Sequence, residues 1–358
     1  MQIRTLSSLA AVMLLASCGG GDTSEPTPAT GVVSPVPAPA PSPSPSPSPS
    51  PTPSPTPTAA AIEPYVLGTL TYTLDSNTPA DKREAIRDAM DFATNHANVL
   101  GTFSGNVYVL YDSGVQTADA TYRGTIRFGG MIGRRVALHE LAHWFGSGST
   151  WQWDQHVRDG RFIGDRTEAR IKAYKGADEY LHADWAHFGP YGLNYDDEYH
   201  DTQRNTQILS AQIADMGLGD DVTPAIAGIR RFQNRSSTAV LQSDASAPYP
   251  SEGASIAGGT QQWRIVFADG FITIANVADG RRLEASGNGD NVAAVMAPAS
   301  SSTAQQWEMK PTGEVGWFLL CNRATGNCLD NIGNLAPGAP VRLWGTSWHP
   351  NQQWRLIR

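Results

Sequence analysis

Nowhere in this 358-residue chain do the 26 Lys and Arg residues gather into a dense stripe, and 34 Asp and Glu leave a formal net charge of -8. The electrostatic footprint of a nucleic-acid binder is therefore missing, and no nucleic-acid partner is expected. The N-terminal apolar run, Leu9 to Leu15, is too short to cross a bilayer, which takes roughly 20 apolar residues. Charge is absent altogether between Glu25 and Glu63. Cysteine is scarce as well, with Cys18, Cys321 and Cys328 the full set.

What is present begins with a leader. Arg4 precedes the apolar run, which ends in Leu15-Ala16-Ser17-Cys18-Gly19. This ending resembles a bacterial lipoprotein lipobox, and the resemblance implies that residues 1–18 form a signal peptide with Cys18 lipidated. The expected location is the cell envelope, anchored by lipid to a bacterial membrane (the outer one), or outside the cell. From Pro26 to Pro57 proline alternates with Ser, Ala and Thr. Such a segment buries no core and favours extended polyproline II, so 19–61 reads as a stalk. At ~3.1 Å per residue it would reach on the order of 100 Å.

Residues 62–222 mix helical and strand patterns. Strands are expected at Tyr65 to Leu74, Asn106 to Tyr111 and Thr121 to Phe128. Thr78-Pro79-Ala80-Asp81 opens a helix, with Thr78 as its cap and Ile86, Ala89, Met90, Ala93 and Ala97 on one face. A shorter helix is expected from Arg134 to Phe145, and a longer one from Asp196 to Asp215, its acidic start suiting the helix dipole.

Beyond residue 222 the character changes to short apolar runs between Gly, Asn, Ser and Asp. Gln261-Gln262-Trp263, Gln305-Gln306-Trp307 and Gln352-Gln353-Trp354 repeat one triplet, the tryptophans 44 and then 47 residues apart. In phase with them, Asn234, Asn276 and Asn322 each precede a leucine by seven residues: Leu241, Leu283 and Leu329. Two markers in three copies identify a repeated architecture.

The motif with the most chemistry is His139-Glu140-Leu141-Ala142-His143. Residues four apart project from one helix face, so two imidazoles can take two positions on one Zn²⁺. Glu140 lies beside that face, where a carboxylate can take a proton from water attacking a peptide carbonyl. Zn²⁺ is the expected cofactor.

The segment from His139 to Gly146 resembles the start of the extended metzincin motif, and residues 62–218 are similar to zincin metallopeptidases. The resemblance implies an α+β fold and peptide-bond hydrolysis. The strand Gly124 to Phe128 looks like the zincin edge strand, which would hold substrate backbone extended. One departure stands out: Ser149 occupies the place of the third metzincin histidine. A gluzincin-like ligand could come from Glu168 or Glu179, but Leu181 to Tyr195 gathers His182, Asp184, His187, Tyr191 and Tyr195 into one Gly/Pro-containing loop. His187 is the expected third ligand, with Asp184 and His182 as alternatives or supports. Tyr191 or Tyr195 could donate to a tetrahedral oxyanion, or pack beneath the loop.

The threefold Gln-x-Trp pattern over 223–358 resembles the ricin B-type β-trefoil. In that family the tryptophans are core residues, and a working lobe combines an Asp, an aromatic platform and an Asn/Gln pair. The third lobe offers Asp330, Trp344, Asn351 and Gln352. The first has Gln242 and Thr260 at two of those places, and the second has Glu284, Met296 and Ala304. One sugar site, in the third lobe, is implied. Arg342 is a departure, since glutamine is common there. Cys321 and Cys328 flank a plausible hairpin turn in an exported protein, and are expected to pair.

The expected architecture is thus an α+β zincin-like domain followed by an all-β trefoil. The expected function is a zinc endopeptidase acting on protein or glycoprotein substrates, with a glycan bound by the third trefoil lobe. The alternative is a surface lectin or adhesin whose zincin-like domain is inactive or structural.

Overall fold

The computed structural model describes residues 62–358, which belong to one compact unit. The signal peptide, Cys18 and the stalk lie outside the described residues. No helix among the described residues is long and apolar enough to cross a membrane.

The N-terminal half is α+β. Strand β1 (Thr69–Leu74) leads to α1 (Ala80–Leu100), then β2 (Ser104–Tyr111), β3 (Ala118–Ala120), β4 (Thr125–Phe128) and α2 (Arg134–Phe145). The expected face of α1 is the buried one, from Ile86 to Ala97. Thr78 does not cap it: Pro79 holds the N-cap position and the buried Thr78 hydroxyl has no hydrogen-bond partner. The Thr78 carbonyl is used instead, accepting from Arg83 Nε at 2.7 Å.

The first sheet runs in the order β1-β2-β4-β3, with β3 antiparallel to its neighbour and the other pairs parallel. This corrects the sequence reading, in which Gly124 to Phe128 forms the outer edge. Strand β4 has neighbours on both sides, and the edge is Ala118–Ala120. At the end of β4, Gly129 lets the loop between β2 and β3 pack against it: a Cβ there would lie 1.9 Å from the Val115 carbonyl oxygen. Gly129 N–H then donates to Thr117 O at 2.9 Å, anchoring β3 alongside β4.

After α2 come α3 (Trp151–His156), β5 (Val157–Arg158), β6 (Arg161–Phe162), α4 (Asp165–Lys175), β7 (His182–Ala183) and β8 (Phe188–Gly189). The four two-residue strands make a small antiparallel sheet in chain order. The long helix expected from Asp196 starts as a 3-10 turn, Asp196–Asp201, and becomes α5 at Thr202–Asp215.

The C-terminal half is all β: β9 (Gly228–Asn234), β10 (Val240–Gln242), β11 (Ser251–Gly253), β12 (Trp263–Ala268), β13 (Phe271–Asn276), β14 (Arg282–Ala285), β15 (Val292–Ala297), β16 (Trp307–Pro311), β17 (Trp317–Asn322), β18 (Cys328–Asp330), β19 (Arg342–Trp344) and β20 (Gln353–Ile357). Six of them close a ring by pairing β9-β12-β13-β16-β17-β20 and back to β9. The hairpins β10–β11, β14–β15 and β18–β19 complete three lobes. Closure pairs the barrel strands on both sides and removes exposed edges.

The repeated residues explain the closure. Trp263, Trp307 and Trp354 are fully buried, and each indole N–H donates to a leucine carbonyl: Leu241 at 3.0 Å, Leu283 at 3.1 Å and Leu329 at 3.0 Å. Asn276 and Asn322 donate to Thr260 O and Ala304 O, and Asn234 crosses the seam to Asn351 O. These repeated Trp and Asn side chains thus find partners for their buried N–H groups. Cys321 and Cys328 pair directly across β17 and β18 and are joined by a disulfide.

The two halves share a wall. Leu67, Val99 and Leu100, from the α+β half, belong to the trefoil core. Asn95 on α1 exchanges hydrogen bonds with Glu314 O and Gly316 N–H, at 2.7 and 2.9 Å.

Candidate functional site

Helix α2 carries the first half of the site. Its apolar face, including Leu138, Leu141, Ala142 and Phe145, is buried, and it stops at Gly146 in the left-handed conformation, φ 119°. The Trp144 indole ties it to the start of β4 through Gly124 O at 2.9 Å. On its other face, His139 Nε2 and His143 Nε2 approach to 3.1 Å.

The second half comes from the loop after β7. Gly148 makes the approach feasible, since a Cβ there would sit 1.7 Å from the Ala186 carbonyl oxygen. The loop carrying His187 therefore packs onto the backbone that follows α2. One ligand-capable atom from each of His139, His143 and His187 falls within 4.8 Å of the others. Asp184 and His182 are outside this cluster. Asp184 Oδ1 instead accepts from Ala186 N and His187 N at 2.8 and 2.7 Å, shaping the turn that presents His187. Its carboxylate is also 3.7 Å from His187 Nδ1. His182 packs its ring on Tyr180 at 4.4 Å. Glu168 is taken up by Lys172 on the surface of α4, and Glu179 is exposed.

The tautomers follow from the outer partners. His139 Nδ1 faces Gly192 O at 2.8 Å and His143 Nδ1 faces Ser147 O at 2.7 Å. A carbonyl only accepts, so both protons sit on Nδ1 and both Nε2 atoms present lone pairs. Burial, aided by the neighbouring imidazoles, pushes His139 down to about 3, and burial also lowers His143. Two neutral acceptors 3.1 Å apart, with a third imidazole nearby, are an arrangement that could hold a cation. The residues present fit a divalent metal held by three histidines. Ser149, where the metzincin pattern has histidine, turns its hydroxyl back to His143 O and closes the helix end.

Glu140 lines the same cleft, and its buried Oε2 has no hydrogen-bond partner. Burial, reinforced by the Asp119 charge, pushes the carboxyl up to about 8. The cleft holds about 740 Å³ and is walled on one side by β3 and on the other by the loop from His182 to Tyr195. Trp185 and Tyr195 stand at its rim, 79% and 73% exposed. Trp153 is buried beneath, its indole donating to Asp184 O at 3.0 Å, and Trp151 is exposed.

Tyr191 is a correction. It is buried, it does not line the cleft, and its hydroxyl accepts from Arg204 Nη1 at 3.0 Å. The cause is backbone: Tyr191 and Leu193 take left-handed φ values of 74° and 57°, which turn the ring toward α5. Sequence reasoning does not reach the roles of Gly148, Gly192, Glu198 and Arg204 at the site, although Gly148 is readable as part of the turn after the histidine helix and Gly192 as a glycine in the His-rich loop. Glu198 holds Tyr191, Asn194 and Tyr195 by their N–H groups, which fixes the loop.

In the third lobe, Asp330 pairs opposite Arg342 and Cys328 opposite Trp344, so Asp330 and Trp344 project from one face. Trp344 is 38% exposed and Asn351 half-buried. Asp330 is nearly buried, and burial raises its carboxyl above the ordinary range. Gln352 is a second correction. It is fully buried, accepting from Ser347 N at 2.9 Å and donating to Gly345 O at 2.8 Å, with a further bond to Asp330. Gln261 and Gln305 do the same for Gln242 and Glu284. The first glutamine of each triplet is therefore buried and bonded to the residue at the Asp330 position of its own lobe. In the second lobe, Met296 is buried where a platform would stand.

Residues 259–344 and 303–358 match the family described as ricin-type beta-trefoil lectin domain-like. Residues 259–358 are thus similar to the ricin-type lectin domain, in keeping with the three-lobed fold they adopt. Among solved structures, the designed 3-fold symmetric protein ThreeFoil is 26% identical, covering 36% of this chain and 98% of its own, with a TM-score of 0.35. The Macrolepiota procera ricin B-like lectin in complex with lactose is 21% identical over 37% of this chain and 96% of its own, TM-score 0.34. The Rhizoctonia solani agglutinin is 24% identical over 37% and 94%, TM-score 0.33. No curated protein matches the chain.

Proposed function

We propose that this chain is an exported, lipid-anchored zinc endopeptidase of zincin type, directed to glycans or glycoproteins by its lectin domain. The observation that carries the reading is the convergence of three imidazoles beside an unpartnered carboxylate, Glu140, in one cleft. His139, His143 and His187 would hold the metal. When bound, zinc supplies Lewis acidity, lowering the pKa of water and polarising a carbonyl.

The protein's own groups account for the rest. The charge of a bound cation would hold Glu140 as the carboxylate, which accepts the proton of the attacking water at Oε2 and returns it to the leaving amine. The edge strand β3 offers an extended peptide a main-chain partner along the cleft wall. Tyr195 is the tyrosine left at the rim to donate to a developing oxyanion. Asp330, Trp344 and Asn351 make the sugar site: a carboxylate for hydroxyls, an exposed indole for the C–H face, and an amide. Holding a glycan there raises the local concentration of attached peptide at the cleft.

The test is Glu140→Ala assayed on casein and on mucin. The variant should lose on the order of 10²–10⁴ in turnover while keeping its metal. Equal cutting by both proteins would leave the lectin or adhesin reading, which the family match supports independently of the cleft.

A further inference from the structure

Resting on the three-histidine reading above, we infer that the trefoil residue Glu308 is a positioning residue for the histidine cluster, acting through Arg204 and Tyr191 on the carbonyl that fixes His139. Glu308 Oε1 on β16 accepts from Arg204 Nε at 2.8 Å. Arg204 Nη1, on α5, donates to the Tyr191 hydroxyl at 3.0 Å. The next residue, Gly192, gives its carbonyl to His139 Nδ1 at 2.8 Å. Two side-chain hydrogen bonds, one peptide link and a backbone carbonyl thus join the trefoil half to the first histidine.

The middle of this path is strained backbone. Tyr191 and Leu193, at φ 74° and 57°, sit in the left-handed region on either side of Gly192. Non-glycine residues stay there only where surrounding groups hold them. Gly192 itself tolerates no side chain, since a Cβ would lie 1.9 Å from Phe188 O. Tyr191 is held at N–H by Glu198 and at its carbonyl by Asn205 Nδ2 at 2.8 Å. The hold on its hydroxyl is the one that continues into the trefoil. Trefoil packing adds to it: Phe271 meets Tyr174 edge-on, and Tyr174 meets Tyr191 the same way, at 5.6 and 5.7 Å.

The Glu308–Arg204 pair is shielded, with side-chain exposures of 7% and 21%. Burial works against the Arg204 charge, and Glu308 overrides it, holding the guanidinium above its ordinary value. Removing Glu308 leaves that charge with Asp201 as its remaining carboxylate, 3.8 Å from Nη1. The guanidinium then turns toward Asp201 and water and releases Tyr191. The Gly192 carbonyl relaxes with it, and His139 loses the partner that keeps its proton on Nδ1.

The test uses the chain carrying all its domains, titrated with Co²⁺ and read by the visible d–d band and by competition with a chromogenic chelator. Glu308→Ala should weaken Co²⁺ binding roughly three- to tenfold and shift the band, less than the 10–100-fold typical of a direct outer partner. Glu308→Gln still offers Oε1 to Arg204 and should recover most of the loss. Asn95→Ala removes two bonds of the same interface elsewhere and should leave affinity within about twofold. Should Glu308→Ala fold poorly, Arg204→Lys carries the test: it keeps the charge but cannot bridge Glu308 and Tyr191 together, and it should bind about threefold more weakly. An unchanged affinity in the Glu308 and Arg204 variants, or an equal loss in Asn95→Ala, overturns the inference. A wild-type protein that binds no Co²⁺ overturns the three-histidine reading, and this one with it.

Discussion

Between residues 228 and 357 the same hydrogen bonds recur lobe by lobe, whereas the histidine cluster is assembled once, from α2 and a loop some forty residues later. Each trefoil tryptophan meets its leucine carbonyl within a stretch of 22 to 25 residues. His139 and His143 have His187 beside them only because Gly148 lets two backbones touch. A repeated unit spreads its specification over copies, and loss of one leaves two. A convergent site has no second copy, so each member counts in full.

The largest expected effect is therefore in the cleft. His187→Ala should weaken Zn²⁺ binding by more than about a hundredfold, beyond what outer partners alone contribute. Equilibrium dialysis against a zinc buffer measures it. Asp184→Ala, which loosens the turn without removing a ligand-capable nitrogen, should cost about tenfold. If the two variants lose the same amount, Asp184 is a ligand in its own right and the cluster is not a histidine triad.

Sequence legibility follows the same divide. The trefoil is readable because Gln, Trp and Asn recur in phase, and each repeat is one structural solution printed again. Helix α2 is readable because its apolar residues and Gly146 fix both ends, and the structure returns Arg134–Phe145 as expected. Strands β5 to β8 are two residues long and carry no periodicity to read. Strand β3 has three residues, two of them alanine, so the true sheet edge leaves no pattern either. Tyr191 and Gln352 fail for another reason. Residue type gives a side chain's chemistry but not its direction, which left-handed backbone reverses in one case and burial under Ser347 and Gly345 fixes in the other.

A smaller effect tests whether the three lobes are equivalent as well as similar. Trp263→Ala, Trp307→Ala and Trp354→Ala each remove a fully buried indole and strand a leucine carbonyl. Each should cost about 3–5 kcal/mol in urea unfolding. The sugar, in contrast, should notice one lobe. Asp330→Ala should abolish the retention that the wild-type protein shows on a panel of immobilised glycans, while Gln242→Ala and Glu284→Ala leave it unchanged. Retention lost on changing Gln242 or Glu284 would show a second working lobe and weaken the contrast between symmetric scaffold and single site.

The smallest effect lies where threefold symmetry breaks. Glu252 on β11 is buried in the first lobe but clasps the third: its N–H donates to Ala339 O at 3.2 Å, and its carbonyl accepts from Gly338 at 2.7 Å. Its carboxylate faces Ser237, Asn331 and Asp330, with Oε1 unpartnered. Burial pushes it from 4.5 up to about 7. The folded protein therefore keeps this proton over a range in which the unfolded chain has released it. Stability from this group is complete below about 4.5, falls as pH rises through 7, and is flat above that, an interval of roughly 3 kcal/mol. Glu252→Gln keeps an N–H donor where the protonated acid has its O–H. It should flatten the difference between urea midpoints at pH 5 and pH 8, mainly by stabilising the protein at pH 8. Parallel midpoint curves for the two proteins would mean that the seam between lobes relaxes around the charge, and that the trefoil tolerates its one asymmetric clasp without cost.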